Sequence, residues 1–551
     1  MNYITGRGES RRSLPHALAL AVLSAILMTL ALPNELFKQG LAALGFVALV
    51  PLYLAVLETE GPKATALVVG LFGSLQHGLS SFWLWFFKDF RFWTLGSTTA
   101  ANFVLYMVLG FYLWLFLHRS GRARPIAFGL LWASFEYLKS TGFLGYPWGL
   151  LPYSLTDALP FLQIADLAGV YGISALLAAC NAALAELLFG AGSQSFATIP
   201  PWVGASKPEA LALRPRLAYV ALALALSAGA LGYGFVRMAR PIPLAGSIDA
   251  ILVQQNTDPW VSTEDEALTV NIRLAKQAIE EARAKGRRPD IILFSETTLR
   301  RPYAEFHNYY SKHPALDPLV PFIRESGAWL FAGAPVVVDW KTGDATNSAI
   351  LIDPSGRLVR SYAKIHLVPF AETIPFWEFA PFRKFIQDEV GLEGGWASGT
   401  DYTIFELPTK EGSFRFGAPI CFEDAFADVC RNFYLKDADL LVNLTDVSWS
   451  KTESAEIQHW AAARFRAIEA RRTLVRSTNG GLTCVVGPYG ELLDSLPLFT
   501  AGALTCRVPI YRDASPTPYI SFGDWFARAA LLLSAALFII LSVGERRKST
   551  A

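Results

Sequence analysis

Long apolar runs separated by short polar connections fill the first 240 residues of the chain. They lie at about 14–32, 40–57, 64–87, 97–117, 125–140, 160–189 and 217–236, and one more follows at about 525–543. A helix needs about 20 apolar residues to cross the hydrocarbon core of a bilayer, so the pattern predicts seven transmembrane helices and a closing eighth. Between the last two runs the pattern changes to charged amphipathic stretches, Gly/Pro turns and short β-rich segments. The expected organisation is a membrane domain over 1–240, a globular domain over 241–523, and a C-terminal helix with a tail over 524–551.

Composition agrees with the pattern: 52% of the 551 residues are hydrophobic and only 17% charged, more apolar surface than a soluble chain usually buries. Net charge is +1, and no basic stretch interleaves with aromatics, which argues against a nucleic-acid partner. Basic residues set the orientation. With a cytoplasmic N-terminus, Arg7, Arg11, Arg12, Lys63, Arg119, Arg122, Arg124, Lys207, Arg214, Arg216, Arg546, Arg547 and Lys548 fall on the inner side. Fewer, Lys38, Lys88, Arg91, Lys139, Arg237, Arg240 and Arg528, fall on the outer side, so the globular domain is expected outside the cytoplasm. The first run reads as a retained anchor rather than a cleaved signal peptide.

Within the globular domain, "SIDAILVQQN" and "PDIILFSE" read as buried strands flanking a charged helix that starts at Ser262, Thr263 and Glu266. Similar strand-like runs recur up to "LTCVVGPYG", with a helix at about 453–471, which predicts a layered α/β domain. Glu296, Lys364 and Cys421 sit at strand or loop edges in apolar settings. Singly, each reads better as a turn cap, a solvated charge or core packing. Together they are a base, an oxyanion stabiliser and a nucleophile, the groups needed for covalent acyl transfer.

The segments "FSETTLR", "YAKIHLVPFAETIPF" and "ICFE", in this order and spacing, resemble the Glu–Lys–Cys signature of the nitrilase (carbon–nitrogen hydrolase) superfamily. Several helices before that domain and one after it resemble the bacterial apolipoprotein N-acyltransferases within the superfamily. "LVPFAETIP" is similar to their "LVPFGEYVP", and "HWAAARFRAIEARRTLVRSTNGG" to their segment after the cysteine. The resemblance implies a multi-pass helical membrane domain carrying an αββα sandwich on the periplasmic side of the bacterial inner membrane. It implies transfer of a fatty acyl chain from a phospholipid donor to the α-amine of a diacylglyceryl-modified apolipoprotein, by a ping-pong route through a thioester, with no cofactor and no metal. By matching position, Glu296 is the general base and acid, Lys364 the oxyanion stabiliser and Cys421 the nucleophile. Glu372 and Glu423 are supporting carboxylates, and the Phe422 backbone N–H serves the oxyanion. Phe422 departs from a family tyrosine. Trp260 corresponds to a family tryptophan after the first strand, and "LTDVSWSK" makes Asp446 and Trp449 secondary candidates.

The segment 371–396 clusters aromatics, including Trp377, with Arg383 and Lys384, a mixture suited to a lipid headgroup interface or a lid. Trp148 in "FLGYPWGLLPYS" joins it as a substrate-side candidate on the outer face. His77, Glu136, Asp166 and Glu186 lie in or near apolar runs, where ionisable groups are costly and often functional; each could equally sit near a helix end or pair inside the bundle, and none is taken into the site. Of five cysteines, Cys421, Cys430, Cys484 and Cys506 would face an oxidising compartment and Cys180 lies in a helix. Two rivals remain: a membrane-tethered amidase with water as acceptor, and a transporter or receptor whose outer domain only binds ligand.

Overall fold

The computed structural model describes residues 6–88, 91–192, 209–304, 318–390 and 394–549. Lys207, one of the basic residues used for orientation, lies outside them. The N-terminal half is helical, and helix Trp525–Ser549 closes the chain. Among the described residues, four helices, Leu14–Ala31, Arg91–Arg119, Ala165–Phe189 and Leu213–Ala239, are long and apolar enough to cross a membrane.

Three of the apolar runs are not single helices; the run at 160–189 divides into helices Leu159–Leu162 and Ala165–Gly192. The run at 40–57 divides into a 3-10 turn, Ala42–Phe46, and helix Val50–Glu58. Pro51 begins that helix, a position where its missing N–H costs nothing. The run at 64–87 divides into helix Pro62–Ser80 and a 3-10 turn, Phe82–Phe86. Helix Ala165–Gly192 is kinked at Gly169, whose φ is +67°. A Cβ there would lie 2.7 Å from the Tyr519 ring, so glycine admits both the kink and the close approach of the later chain.

The globular part holds two six-stranded sheets. The first runs in the order β12 (Gly502–Tyr511), β1 (Leu244–Gln254), β2 (Ile291–Leu293), β3 (Trp329–Asp339), β4 (Asp344–Ile352), β5 (Leu358–Ala363). The second is β11 (Leu492–Ser495), β10 (Cys484–Val486), β9 (Thr473–Thr478), β8 (Leu440–Thr445), β7 (Gly412–Gly417), β6 (Ile404–Thr409). At the centre of each, three strands run parallel: β1, β2 and β3 in one, β7, β8 and β9 in the other. Leu252, Leu293 and Phe331 of the first sheet share an apolar core with Phe405, Phe416 and Leu441 of the second. Helices Glu264–Ala284 and Leu319–Ser326 cover the outer face of the first sheet through Ala275, Ile279 and Phe322. The predicted start of helix Glu264–Ala284 is a capping box, Thr263 and Glu266 each satisfying the other's backbone N–H.

Helix Glu453–Ala470 lies between the second sheet and the helical half, and every residue from Ser454 to Ala470 is buried. Ile457, Trp460 and Ala463 pack toward the sheet, while Ala461, Phe465 and Ile468 join the core of the helical half. A helix buried all round must also satisfy its polar side chains internally. Arg464 donates to the carbonyls of Thr156 and Gly490. Just past the helix, Arg471 binds the Asp166 carboxylate at 2.7 Å and the Gln163 carbonyl at 3.0 Å. Asp166 also accepts from Tyr233 and Arg237, Glu186 pairs with Arg124 and Tyr53, Glu136 accepts from Trp132, Leu151 N–H and Ser174, and His77 meets Thr98.

Arg471 is therefore expected to be a principal fastener between the two halves. Arg471→Met should cost about 3 kcal/mol, because it removes a buried partner of Asp166. A lowered thermal midpoint in detergent, followed by tryptophan fluorescence, checks this; an unchanged midpoint contradicts it.

Candidate active site

Ligand chemistry in open parallel sheets collects beyond the carboxyl ends of the strands. Glu296 follows β2, Cys421 follows β7, Asp446 follows β8 and Asn479 follows β9, so the two sheets aim these ends at one place. Lys364 comes immediately after β5 on the same loop system, its N–H bonded to the Asn347 carbonyl at 2.8 Å.

The Lys364 ammonium is 1% exposed and stands 3.3 Å from Glu296 and 2.8 Å from Glu372. Burial works against its charge, but Glu296 and Glu372 outweigh that and hold its pKa well above the ordinary lysine value. Asn347, on β4, donates its side-chain amide to both carboxylates, at 2.9 Å to Glu296 and 2.8 Å to Glu372. Glu296 also accepts the Asp446 N–H at 3.0 Å, and Glu372 the Val368 N–H at 2.8 Å. Gly333 on β3 makes room for this loop: a Cβ there would sit 2.7 Å from the Glu296 Cα.

Cys421 has φ +50°, in the left-handed region that non-glycine residues seldom occupy and that concentrates at functional sites. It opens a 3-10 turn, Cys421–Ala425. Asn443 in β8 holds the approach to the turn, donating to the Pro419 and Cys421 carbonyls at 2.9 Å each. Burial pushes the Cys421 thiol well above its ordinary pKa and Glu296 adds to this, while Lys364 pulls it down. The resting group is a thiol, coupled to both other members of the cluster.

Two consecutive acids pin the turn in different directions. Glu423 is fully buried and accepts from Ile365 N–H, His366 N–H, Ile420 N–H and the Tyr362 hydroxyl, tying the Cys421 turn to the loop that carries Lys364. Burial raises its pKa to about 7 against these donors. Asp424 lies 2.7 Å from His459 Nε2 on helix Glu453–Ala470 and 2.9 Å from Arg476 on β9. Asp446 is held by Ser448 and Asn479, and burial lifts it to about 6.

Of the tryptophan candidates, Trp148 is buried with its ring 6.2 Å from that of Phe422. Trp449 and Trp260 are linked through Phe87, 5.2 Å from each. Trp377 is half-buried in the 371–379 loop and makes no ring contact with this group among the described residues. Phe422 packs on Phe426 at 4.8 Å in an apolar slot. Sequence reasoning missed Asn347, Asn443, Asp424, His459 and Arg476. Their common signal is a polar side chain interrupting an apolar element, as in "TNSAILI", "LLVNLT" and "TLVRST".

Lys364→Met should slow alkylation of Cys421 by iodoacetamide at neutral pH by about tenfold or more, because the cation that favours the thiolate is gone. The pH at which alkylation accelerates should move upward; a downward or absent shift contradicts the geometry. Gly333→Ala should displace Glu296 and reduce turnover, read as lost activity with a lowered thermal midpoint but unfolding that is still cooperative; full activity contradicts it.

Comparison with known proteins places this arrangement. Residues 24–183 match the apolipoprotein N-acyltransferase N-terminal domain family, and residues 252–512 match the carbon-nitrogen hydrolase family. The chain is 37% identical over 535 residues to apolipoprotein N-acyltransferase 2 of Treponema denticola, covering 96% of this chain and 98% of that one. It is 36% identical to apolipoprotein N-acyltransferase 2 of Treponema pallidum, covering 96% of this chain and 95% of that one. It is 30% identical to apolipoprotein N-acyltransferase of Borreliella burgdorferi, covering 93% and 94% respectively. With similarity of this extent over both halves, the chain belongs to the apolipoprotein N-acyltransferase family.

Proposed function

We propose that the protein N-acylates lipoproteins, moving a fatty acyl chain from a phospholipid to the α-amine of a diacylglyceryl-modified N-terminal cysteine through a thioester on Cys421. The observation that carries this reading is the convergence on one place of a half-buried thiol held at φ +50° after β7, the Glu296 carboxylate after β2 and the Lys364 ammonium 3.3 Å from it after β5. The family relationship supports it.

In the first half-reaction, Cys421 sulfur attacks the phospholipid ester carbonyl while its proton passes to Glu296. Protonated Glu296 no longer competes for Lys364, whose ammonium then turns to the oxyanion alongside the Phe422 N–H. Each such donor is worth about 3 kcal/mol in comparable sites. Collapse of the tetrahedral species breaks the ester C–O bond, and Glu296 returns the proton to the lysophospholipid alkoxide. In the second half-reaction the neutral amine attacks the thioester, a nitrogen proton passes by way of Glu296 to the leaving thiolate, and the amide forms. Glu372, 2.8 Å from Lys364, keeps its contact with the ammonium throughout. Donor product leaves before acceptor binds, so the scheme is ping-pong.

The reading includes a membrane domain over 1–240 with seven crossings, a catalytic domain over 241–523 on the periplasmic side of the inner membrane, and a last crossing within 524–551. The bias of basic residues supports it. Phe376, Phe379 and Phe385 are exposed at 71%, 63% and 48% beside Arg383 and Lys384, consistent with a segment resting at the headgroup level. The second reading, an amidase using water, shares the cluster; the several apolar helices of the N-terminal half exceed what tethering requires.

Phospholipid with a radiolabelled acyl chain, incubated with the protein and a diacylated lipopeptide, should yield labelled triacylated peptide. Free fatty acid as the sole labelled product would replace this reading with the hydrolase. Glu296→Gln should lower acyl transfer by at least about a hundredfold, the scale of a lost general base.

A further inference from the structure

β8 carries two polar side chains on the face it turns to the Cys421 turn. Alternate residues of a strand share a face, so Thr445 stands on the same side as Asn443, whose amide holds the Pro419 and Cys421 carbonyls. The parallel pairing of β7 with β8 resumes past the end of β7 as a bridge between Ile420 and Leu444, which brings Cys421 alongside Thr445. Thr445 is itself pinned. It pairs with Thr478 of β9, its carbonyl accepts the Asn479 N–H at 3.1 Å, and its side chain is fully buried. Branching at its Cβ leaves the hydroxyl little rotational freedom.

That hydroxyl has no aligned protein acceptor among the described residues. Buried hydroxyls are nearly always bonded, and one left without a partner costs stability. The Cys421 sulfur lies within its hydrogen-bonding reach, and the hydroxyl favours the thiolate there over the thiol. Neutral sulfur is a weak acceptor, whereas an anionic acceptor binds a donor strongly. The donor is therefore poorly used at rest and well used when sulfur carries charge, which is the kind of difference that speeds a reaction instead of tightening its ground state. The charged groups that act on the sulfur, Glu296, Lys364 and Glu372, come from loops after β2 and β5. Thr445 approaches from β8 and adds a donor without net charge.

We infer that Thr445 is a further catalytic residue, its hydroxyl donating to the Cys421 sulfur whenever negative charge collects there. The inference rests on the acyl-enzyme reading above. During attack on the donor ester, charge gathers on sulfur as its proton passes to Glu296, and the Thr445 O–H stabilises it. When the amine expels sulfur from the thioester, the same hydrogen bond forms again. Thr445 keeps its own proton throughout.

The test is alkylation of Cys421 by iodoacetamide across a range of pH, followed at the Cys421 peptide by mass spectrometry, with the full-length protein in detergent and no lipid substrate. Thr445→Val keeps the shape and loses the hydroxyl. It should move the rise in rate upward by about one pH unit and slow alkylation at neutral pH by about tenfold. Thr445→Ser should return most of the rate. The thermal midpoint of the valine variant should hold or rise, because the lost donor had no aligned acceptor in the folded protein. Thr445→Ala, which also lacks the hydroxyl, decides the matter if the valine variant does not fold. An unchanged profile, or a serine variant shifted as far as the valine one, overturns the inference; so does a lowered midpoint in the folded valine variant, which would make the hydroxyl structural. Because alkylation needs neither donor nor acceptor, a protein that alkylates as expected yet transfers no acyl chain would count against the acyl-enzyme reading alone.

Discussion

An ammonium taken out of water keeps its charge only if anions and hydrogen bonds replace the hydration it gave up. Lys364 meets that requirement with Glu296 and Glu372, and much of the globular half can be understood as the apparatus that keeps these three groups in register. Asn347 on β4 locks the two carboxylates to the lysine, Gly333 on β3 lets the Glu296 loop come close, and Glu423 ties the Lys364 loop to the Cys421 turn. The cost of burying this charge is met by groups from several strands. Their number explains why the site stands on sheet ends and not on one mobile loop.

The proposed route suits such a site. Passing the thiol proton to Glu296 while the oxyanion forms moves charge within the site and creates no new net charge where it would be most expensive. The raised pKa of the Cys421 thiol fits the proposal that its deprotonation accompanies attack.

Helix Glu453–Ala470 carries the site to the helical half. It presents His459 to Asp424 in the Cys421–Ala425 turn, Gln458 to two tryptophans, and Arg464 to a carbonyl of the helical half. Sequence made much of this readable: the apolar runs, the capped helix at Thr263, the strands leading to Glu296 and Cys421, and the order Glu296, Lys364, Cys421. The breaks in the runs at 40–57 and 64–87 were not readable, because run length ignores where Pro51 or a 3-10 turn interrupts the helix. Asn347, Arg476 and Gln458 were also hidden, since each has meaning only through partners distant in the chain. Phe422, flagged by sequence for its missing hydroxyl, sits among the rings of Phe426, Trp148, Tyr146 and His366, where an apolar face is what the surroundings accommodate.

The central claim is that acyl transfer passes through a bond to Cys421. Intact-protein mass spectrometry after incubation with phospholipid alone, without acceptor, tests it most directly. The account predicts a mass increase of one acyl group, mapped to the Cys421 peptide, removed by neutral hydroxylamine and absent in Cys421→Ala. An unmodified wild-type protein that still forms N-acylated lipopeptide, or an equal adduct on Cys421→Ala, would contradict it.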